Sequence, residues 1–156
     1  MKFEFSAGGV VFRKNPLAGS GQVKFEILVA QHSQHHGWVF PKGLIAEKES
    51  GVRNQESGRE TKEEAALREV EEETGIKSKI IKPLQPVTYW YNFEGSKIKK
   101  TVYYFLMEYV SGDTKNHDWE MENVEWIDID EVENKLTYKS DKQVWQEAKK
   151  EIVSNH

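Results

Sequence analysis

A chain of 156 residues, 31% of them charged, is long enough to bury one hydrophobic core and too short for two comfortable domains. It contains no cysteine, which excludes disulfide bonds, thiol nucleophiles and cysteine-ligated zinc. It also lacks an apolar run of membrane-spanning length and an apolar signal segment, so we expect a single cytoplasmic domain over residues 1–156. The formal net charge of −4 argues against a general nucleic-acid-binding protein.

Apolar and alternating patterns predict strands before and after one central helix. In chain order the predicted strands are 3–12, 23–32, 79–81, 87–93, 99–109 and 124–127. Residues 14–22 are rich in turn-forming types, and Glu94-Gly95-Ser96 predicts a hairpin turn between two of the strands. This order of elements predicts an α+β or α/β fold.

Three helices are predicted from their capping residues. The central helix is expected over 62–74, because Thr61 and Glu64 form a capping box pattern and Gly75 suits the left-handed residue that ends a helix. Two further helices follow near the C-terminus: a brief one from Glu131 capped by Asp130, and a last one that begins at Ser140 or Asp141 and ends near Val153.

The central helix carries four glutamates within about one and a half turns, in the sequence Arg-Glu-Val-Glu-Glu-Glu-Thr-Gly-Ile over residues 68–76. Glu69, Glu72 and Glu73 lie on one face of that helix, whereas Glu71 points elsewhere. Clustered carboxylates of this kind suit Mg²⁺ or Mn²⁺, although a solvated acidic face is the alternative.

Residues Glu60 to Ile76 resemble the signature of the Nudix hydrolase family. Glu60 is followed by seven residues, then Arg68-Glu69, an apolar residue, a pair of glutamates, and Gly75-Ile76. The glycine that should precede Glu60 by six positions is absent, and the natural candidate is Gly43 in Phe-Pro-Lys-Gly. We therefore expect an insertion of about eleven polar residues at 47–57.

The resemblance implies a role for each residue of this signature. It implies Glu69 as a metal ligand or the general base, Glu72 and Glu73 as metal ligands, and Glu73 as essential for catalysis. The Gly43 carbonyl is implied as a further ligand. Arg68 is implied to orient Glu60 through an ion pair.

A further carboxylate ligand is implied outside the signature. It is Glu120, although Glu122 and Glu125 are neighbours that a register slip would favour instead. The implied cofactor is Mg²⁺, for which Mn²⁺ can substitute. One sequence does not divide the roles of base and ligand among the glutamates.

Segments outside the signature are similar to the diadenosine tetraphosphate hydrolase branch: residues 5–12, 37–43, 89–91 and 119–120. The resemblance implies an α/β/α sandwich with a mixed sheet between helices, and asymmetric hydrolysis of diadenosine tetraphosphate to ATP and AMP. A nucleoside triphosphate pyrophosphohydrolase is the alternative activity, and a nucleotide-binding module without catalysis is a third possibility. We expect a small nucleotide as the partner, no membrane or stable nucleic-acid partner, and a monomer or homodimer.

Substrate contacts are predicted from basic and aromatic residues. Lys42, beside Gly43, is placed to meet a phosphate. Tyr89 and Tyr91 face one side of a strand, where they stack on adenine or pack in the core. Lys97, with two further lysines close by, either attracts the polyanion or protects a strand edge from aggregation.

Three histidines precede the Phe-Pro-Lys-Gly stretch: His32, His35 and His36. No fourth ligand at a suitable spacing accompanies them, so we do not predict a zinc site. A contact from one of them to phosphate is the remaining hypothesis.

Overall fold

One mixed sheet, with its first strand at the centre, organises the protein. The computed structural model describes residues 1–16, 21, 23–46 and 60–156. Its strands are β1 (Lys2–Pro16), β2 (Val23–His32), β3 (Trp38–Val39), β4 (Lys42–Leu44), β5 (Ile76–Pro83), β6 (Val87–Phe93), β7 (Ser96–Gly112) and β8 (Met121–Asp128). Its helices are α1 (Lys62–Thr74), α2 (Val132–Lys135) and α3 (Lys139–Asn155).

The strand order β3-β2-β1-β7-β5 runs across the sheet, and β4, β6 and β8 pair with β1, β7 and β2. Strands β1 and β7 are parallel over a long register from Lys2↔Ile98 to Phe12↔Glu108, whereas β1 pairs with β2 and β4 in the antiparallel sense. The mixed sheet predicted by the resemblance is therefore confirmed.

The two faces of the sheet are covered by different helices. On one face, Val10 and Phe12 pack with Trp145 and Ile152 of α3. On the other face, Val11 packs against residues of α1 that include Ala65, Ala66 and Val70. Because side chains of β1 alternate between these two layers, the strand contributes to both cores, as an α/β/α sandwich requires.

The start of α1 lies beside the end of the site-forming strand β4. The Ala46 N–H donates to Glu60 Oε1 at 2.8 Å, and the Glu60 N–H donates to the Ala46 carbonyl at 3.1 Å. These two hydrogen bonds hold Ala46 and Glu60 next to each other. The predicted insertion at 47–57 lies outside the described residues, and the single-domain prediction stays a prediction.

Predicted elements and described elements agree best where the local signal is strong. The bounds of β2, β6 and α1 are those predicted, and Thr61 and Glu64 form both bonds of the capping box. The strands β3 and β4 were not predicted, since two or three residues carry no detectable period. None of the described helices combines the length and apolar character needed to cross a membrane.

Two predicted caps are wrong. Asp128, and not Asp130, caps the turn that precedes α2, with its carboxylate accepting from the Asp130 N–H at 2.9 Å. The last helix starts at Lys139 without a side-chain cap, and Asp141 lies inside it, buried, with its carboxylate turned toward the Phe40 N–H. The Asp141 carboxylate therefore bonds to a residue distant in sequence, Phe40, and does not cap its own helix.

Two glycines with nearly the same left-handed backbone differ in their surroundings. Gly75 has φ 79° and is enclosed by the backbone of Asp113 and Asn116, whereas Gly95 has φ 78° and open space around it. Gly95→Ala should cost about 1–2 kcal/mol from the backbone alone. Gly75→Ala should cost about 1–3 kcal/mol more, because the new methyl group collides with backbone. Urea unfolding of both variants measures the difference, and equal losses would contradict the predicted collision.

Candidate active site

A cleft of about 290 Å³ opens between α1, the β3–β4 stretch and the strands β6 and β7. Acidic, basic and aromatic side chains share it. Its lining residues are His32, His35, Val39, Phe40, Lys42, Glu73, Tyr89, Lys100, Glu120 and Met121. Three of the residues predicted from the sequence for substrate or metal binding therefore lie together with Glu73: Lys42, Tyr89 and Glu120.

Glu73 is the most buried carboxylate of the signature, at 3% exposure. Its Oε1 accepts the Lys42 N–H at 3.2 Å, so the helix and the stretch that carries Lys42 meet at this group. Burial, and secondarily the charge of Glu69, raise the pKa of Glu73 to about 9. Such a site favours a cation beside the carboxylate.

Glu69 lies directly against Gly43. A side chain at position 43 would occupy the space that the Glu69 carboxyl group already fills, so a larger residue would displace that carboxyl group from Gly43. Burial raises the pKa of Glu69, and the neighbouring Arg68 guanidinium opposes that effect. The predicted ligands Gly43 and Glu69 are therefore brought together, despite the unusual spacing between them in the sequence.

Arg68 connects the helix to Glu60, at the start of the signature, and to strand β4. Its guanidinium makes two hydrogen bonds to Glu60 and donates from Nη2 to the Leu44 carbonyl at 3.1 Å. The expected Arg68–Glu60 ion pair is thus present. Arg68 Nη1 also contacts Glu69 Oε1 at 2.8 Å and Glu72 Oε2 at 3.1 Å.

Glu72 is placed differently from the other two glutamates of the predicted trio. Its side chain is half exposed and borders a separate cavity with Arg68, Glu71 and Asn116. In this arrangement Glu72 faces Arg68 and not the cleft that Glu73 lines. Its assignment as a metal ligand stays a prediction.

The structure separates the three glutamates that were candidates for a carboxylate ligand outside the signature. Glu120 lines the cleft and lies near enough to Glu69 and Glu73 to raise the pKa of both. Glu122 is paired with His36, and Glu125 lies 3.9 Å from the Lys135 ammonium. Of the three, Glu120 is the one that faces the acidic helix.

The donor set fits a divalent cation. Glu69, Glu73 and Glu120 combine hard oxygen ligands with a mutual repulsion that a cation would relieve, and Gly43 supplies a carbonyl next to them. Within the described part of the chain, no three acidic or histidine side chains are already gathered into a compact ligand cage. The Arg68 contacts to Glu69 and Glu72 would have to rearrange for both to reach an ion.

Two lysines supply the positive side of the cleft. Lys42 and Lys100 both line it, and burial, followed by the charge of Lys42, lowers the pKa of Lys100. Lys97 lies on the other face of the sheet, where its ammonium sits 4.8 Å from the centre of the Trp90 ring. Strand alternation explains why neighbouring lysines separate in this way.

A second cavity of about 430 Å³ adjoins the cleft and shares His35, Val39, Lys42 and Tyr89 with it. Tyr138, Ser140 and Asp141, at the start of α3, complete its wall. Tyr91 lies beside Tyr89 with ring centres 6.4 Å apart, and its hydroxyl donates to Glu4. Sequence reasoning missed Tyr138 and Asp141 as site residues, since nothing local indicates that α3 reaches Tyr89.

The histidines divide between the cleft and the outer surface. His32 and His35 stack with ring centres 4.3 Å apart, and both line the cleft. The His35 Nδ1 accepts from the Gly37 N–H at 3.0 Å and lies 2.8 Å from the Tyr138 hydroxyl. His36 turns away to Glu122.

Comparison with known proteins agrees with this geometry. The NUDIX domain family matches residues 5–148. A Mycobacterium tuberculosis protein that carries the name MutT4 is 32% identical over 143 residues, which is 90% of this chain and 52% of that protein. The chain thus spans about half the length of that relative.

Two further similarities concern tetraphosphatases. The asymmetrical bis(5′-nucleosyl)-tetraphosphatase of Rattus norvegicus is 29% identical over 130 residues, covering 81% of this chain and 80% of that protein. The crystal structure of a C. elegans Ap4A hydrolase binary complex superimposes with a TM-score of 0.66 at 24% identity, over 96% of this chain and 98% of that one. The predicted likeness to a Nudix hydrolase close to the Ap4A hydrolase branch is confirmed. With the family matched over most of its length and the signature helix folded against Gly43, the chain belongs to the Nudix hydrolase family.

Proposed function

We propose that this protein is a Mg²⁺-dependent pyrophosphohydrolase that cleaves diadenosine tetraphosphate into ATP and AMP. The observation that carries the proposal is the cleft in which Glu73 and Glu120 face Lys42 and Lys100, next to the cavity walled by Tyr89 and Tyr138. Such a site offers carboxylates for a divalent ion, ammonium groups for a phosphate chain, and aromatic rings for a base. Nudix hydrolases generally use divalent metals.

A bound Mg²⁺ would neutralise phosphate charge and lower the pKa of an attacking water. Glu69, Glu73, Glu120 and the Gly43 carbonyl are the groups that would hold it, with Glu72 as a further candidate after Arg68 moves. Arg68 keeps Glu60 and the Leu44 carbonyl in place behind these ligands. Hydrolysis adds the water oxygen to one phosphorus atom and breaks the bond from that phosphorus to a bridging oxygen, so that one nucleotide carries the new oxygen and the other leaves with the bridging oxygen.

Lys42 and Lys100 would bind the oxygens of the phosphate chain. Their ammonium groups lie on the same cleft as Glu73, so the chain would pass between positive and metal-bearing walls. Tyr89 would pack on the first base, at the boundary of the two cavities. A cytoplasmic location and a monomeric or homodimeric state stay predictions.

A nucleoside triphosphate pyrophosphohydrolase is the second candidate. The 32% identity to a protein named as a mutator favours it, as does the fact that a mononucleotide needs one base site only. Both candidates use the same acidic helix, and the products tell them apart.

The deciding experiment is a product assay with Mg²⁺ on dinucleoside polyphosphates and nucleoside triphosphates. We expect ATP and AMP from diadenosine tetraphosphate, with a kcat/KM about tenfold or more above that for any triphosphate, because the second nucleotide adds binding energy. Efficient release of pyrophosphate from triphosphates, with little cleavage of the dinucleotide, would replace the first candidate by the second.

Glu73→Gln should lower kcat by about 10²- to 10⁴-fold while the melting temperature does not fall. The amide keeps an acceptor for the Lys42 N–H, and burial already favours the neutral form of Glu73, whose pKa is about 9. Glu71→Gln on the exposed side of the same helix is the matched control and should keep full activity. Unfolding of the Glu73 variant would show that this acid serves the fold instead.

Lys97→Ala and Lys100→Ala separate a sequence prediction from the described geometry. Lys100 lines the cleft, whereas Lys97 contacts Trp90, so only Lys100→Ala should raise KM, by about tenfold or more for a lost charge-assisted contact. Steady-state kinetics on the preferred nucleotide measures both. A larger effect at Lys97 would place the phosphate chain on the opposite face of the sheet.

A further inference from the structure

Two buried carboxylates from different helices hold the same short stretch of backbone. Glu73 of α1 accepts the Lys42 N–H at 3.2 Å, and Asp141 of α3 accepts the Phe40 N–H at 3.1 Å. The stretch between them, Phe40 to Gly43, carries the lysine of the cleft and the glycine that meets Glu69. Glu73 belongs to the family signature, whereas Asp141 has been described so far only as part of the wall of the second cavity.

Asp141 is placed as an anchor and not as a solvated surface acid. It is 2% exposed, its carboxylate accepts the Phe40 N–H, and the Tyr104 hydroxyl lies near enough to lower its pKa. A buried carboxylate is costly unless its oxygens are bonded, so an apolar residue would suit the fold alone better. Burial raises the pKa of Asp141, and the nearby Lys42 opposes that rise.

The position of Lys42 depends on the position of the Phe40 backbone. Only Pro41 separates them, and its ring fixes one of its two backbone torsions. The Pro41 carbonyl also accepts the Gly9 N–H at 3.1 Å, which holds the turn to β1. A shift at Phe40 therefore moves Lys42, because little slack remains between the two residues.

Neighbouring bonds hold the same seam but lie farther from Lys42. The Trp38 N–H donates to Thr137 Oγ1 at 2.9 Å, and the Thr137 N–H donates to the Trp38 carbonyl at 3.1 Å. These bonds join β3 to the start of α3. Of these hydrogen bonds, the one between Asp141 and Phe40 lies closest to Lys42, because Phe40 is only two residues before Lys42.

We infer that Asp141 is a positioning residue, which holds the Phe40 backbone so that the Lys42 ammonium is presented to the phosphate chain. The carboxylate would not touch the reacting atoms. The inference rests on the proposed function, in which Lys42 binds phosphate, but not on the identity of the nucleotide.

The test compares variants at Asp141 on whichever nucleotide the wild-type enzyme hydrolyses fastest. Asp141→Asn keeps an oxygen acceptor for Phe40, and its amide can donate to the Tyr104 hydroxyl, so kcat/KM should stay within about threefold of wild type. Asp141→Ala and Asp141→Leu remove the acceptor, and kcat/KM should fall by about tenfold to a hundredfold in folded protein. Circular dichroism at the assay temperature establishes folding.

A double-mutant cycle with Lys42→Ala identifies the route of the effect. If Asp141 acts through Lys42, adding Asp141→Ala to Lys42→Ala should lower kcat/KM by less than about twofold. Ile152→Ala, which removes a fully buried apolar side chain near the other end of α3, is the control for lost stability and should leave kcat/KM unchanged.

Four results with folded, active protein would overturn the inference. They are full activity of the folded Asp141→Ala enzyme, equal losses in the asparagine and alanine variants, additive effects in the cycle, and a loss of kcat/KM in the Ile152 control equal to that at Asp141. If neither the alanine nor the leucine variant folds, the role of Asp141 is structural and the inference is equally overturned. A wild-type protein that hydrolyses no nucleotide would instead refute the proposed function, and the inference with it.

Discussion

The buried Glu73 carboxylate, bonded to the Lys42 backbone, is the interaction on which the rest of the site depends. It joins the acidic helix to the stretch that precedes it by some thirty residues, and it does so where water is excluded. A carboxylate in such a place keeps its pKa high unless a cation is near. Burial therefore disfavours the charged form of Glu73 in the absence of a cation, and it also makes a bound divalent ion favourable at this carboxylate.

An acidic protein can bind a polyanion when its lysines are concentrated at the binding site. Lys42 and Lys100 are the lysines that line the cleft, and the Arg68 guanidinium is paired with Glu60 and Glu69. Alternation along β7 sends Lys100 to the cleft and Lys97 to Trp90. The net charge of −4 therefore does not describe the surface that a phosphate chain would meet.

Much of the scaffold could be predicted because its signals are local. The capping box, the left-handed glycine and the 3.6-residue period together determine the bounds of α1, and period-2 patterns determine β2 and β6. The caps near the C-terminus failed for the opposite reason. Aspartate is a residue type that often caps helices, but the Asp141 carboxylate bonds to Phe40, about a hundred residues away in the chain.

The sequence by itself determined the family, the acidic face of α1 and the residue types available for metal and phosphate, since these depend on spacing within one helix. Only the tertiary structure decided which acids and bases meet. It placed Glu120 and not Glu122 or Glu125 in the cleft, Glu72 against Arg68, and Tyr138 on the same cavity as Tyr89. The reason is that burial and pairing depend on strand register and helix packing, and both join residues far apart in the chain.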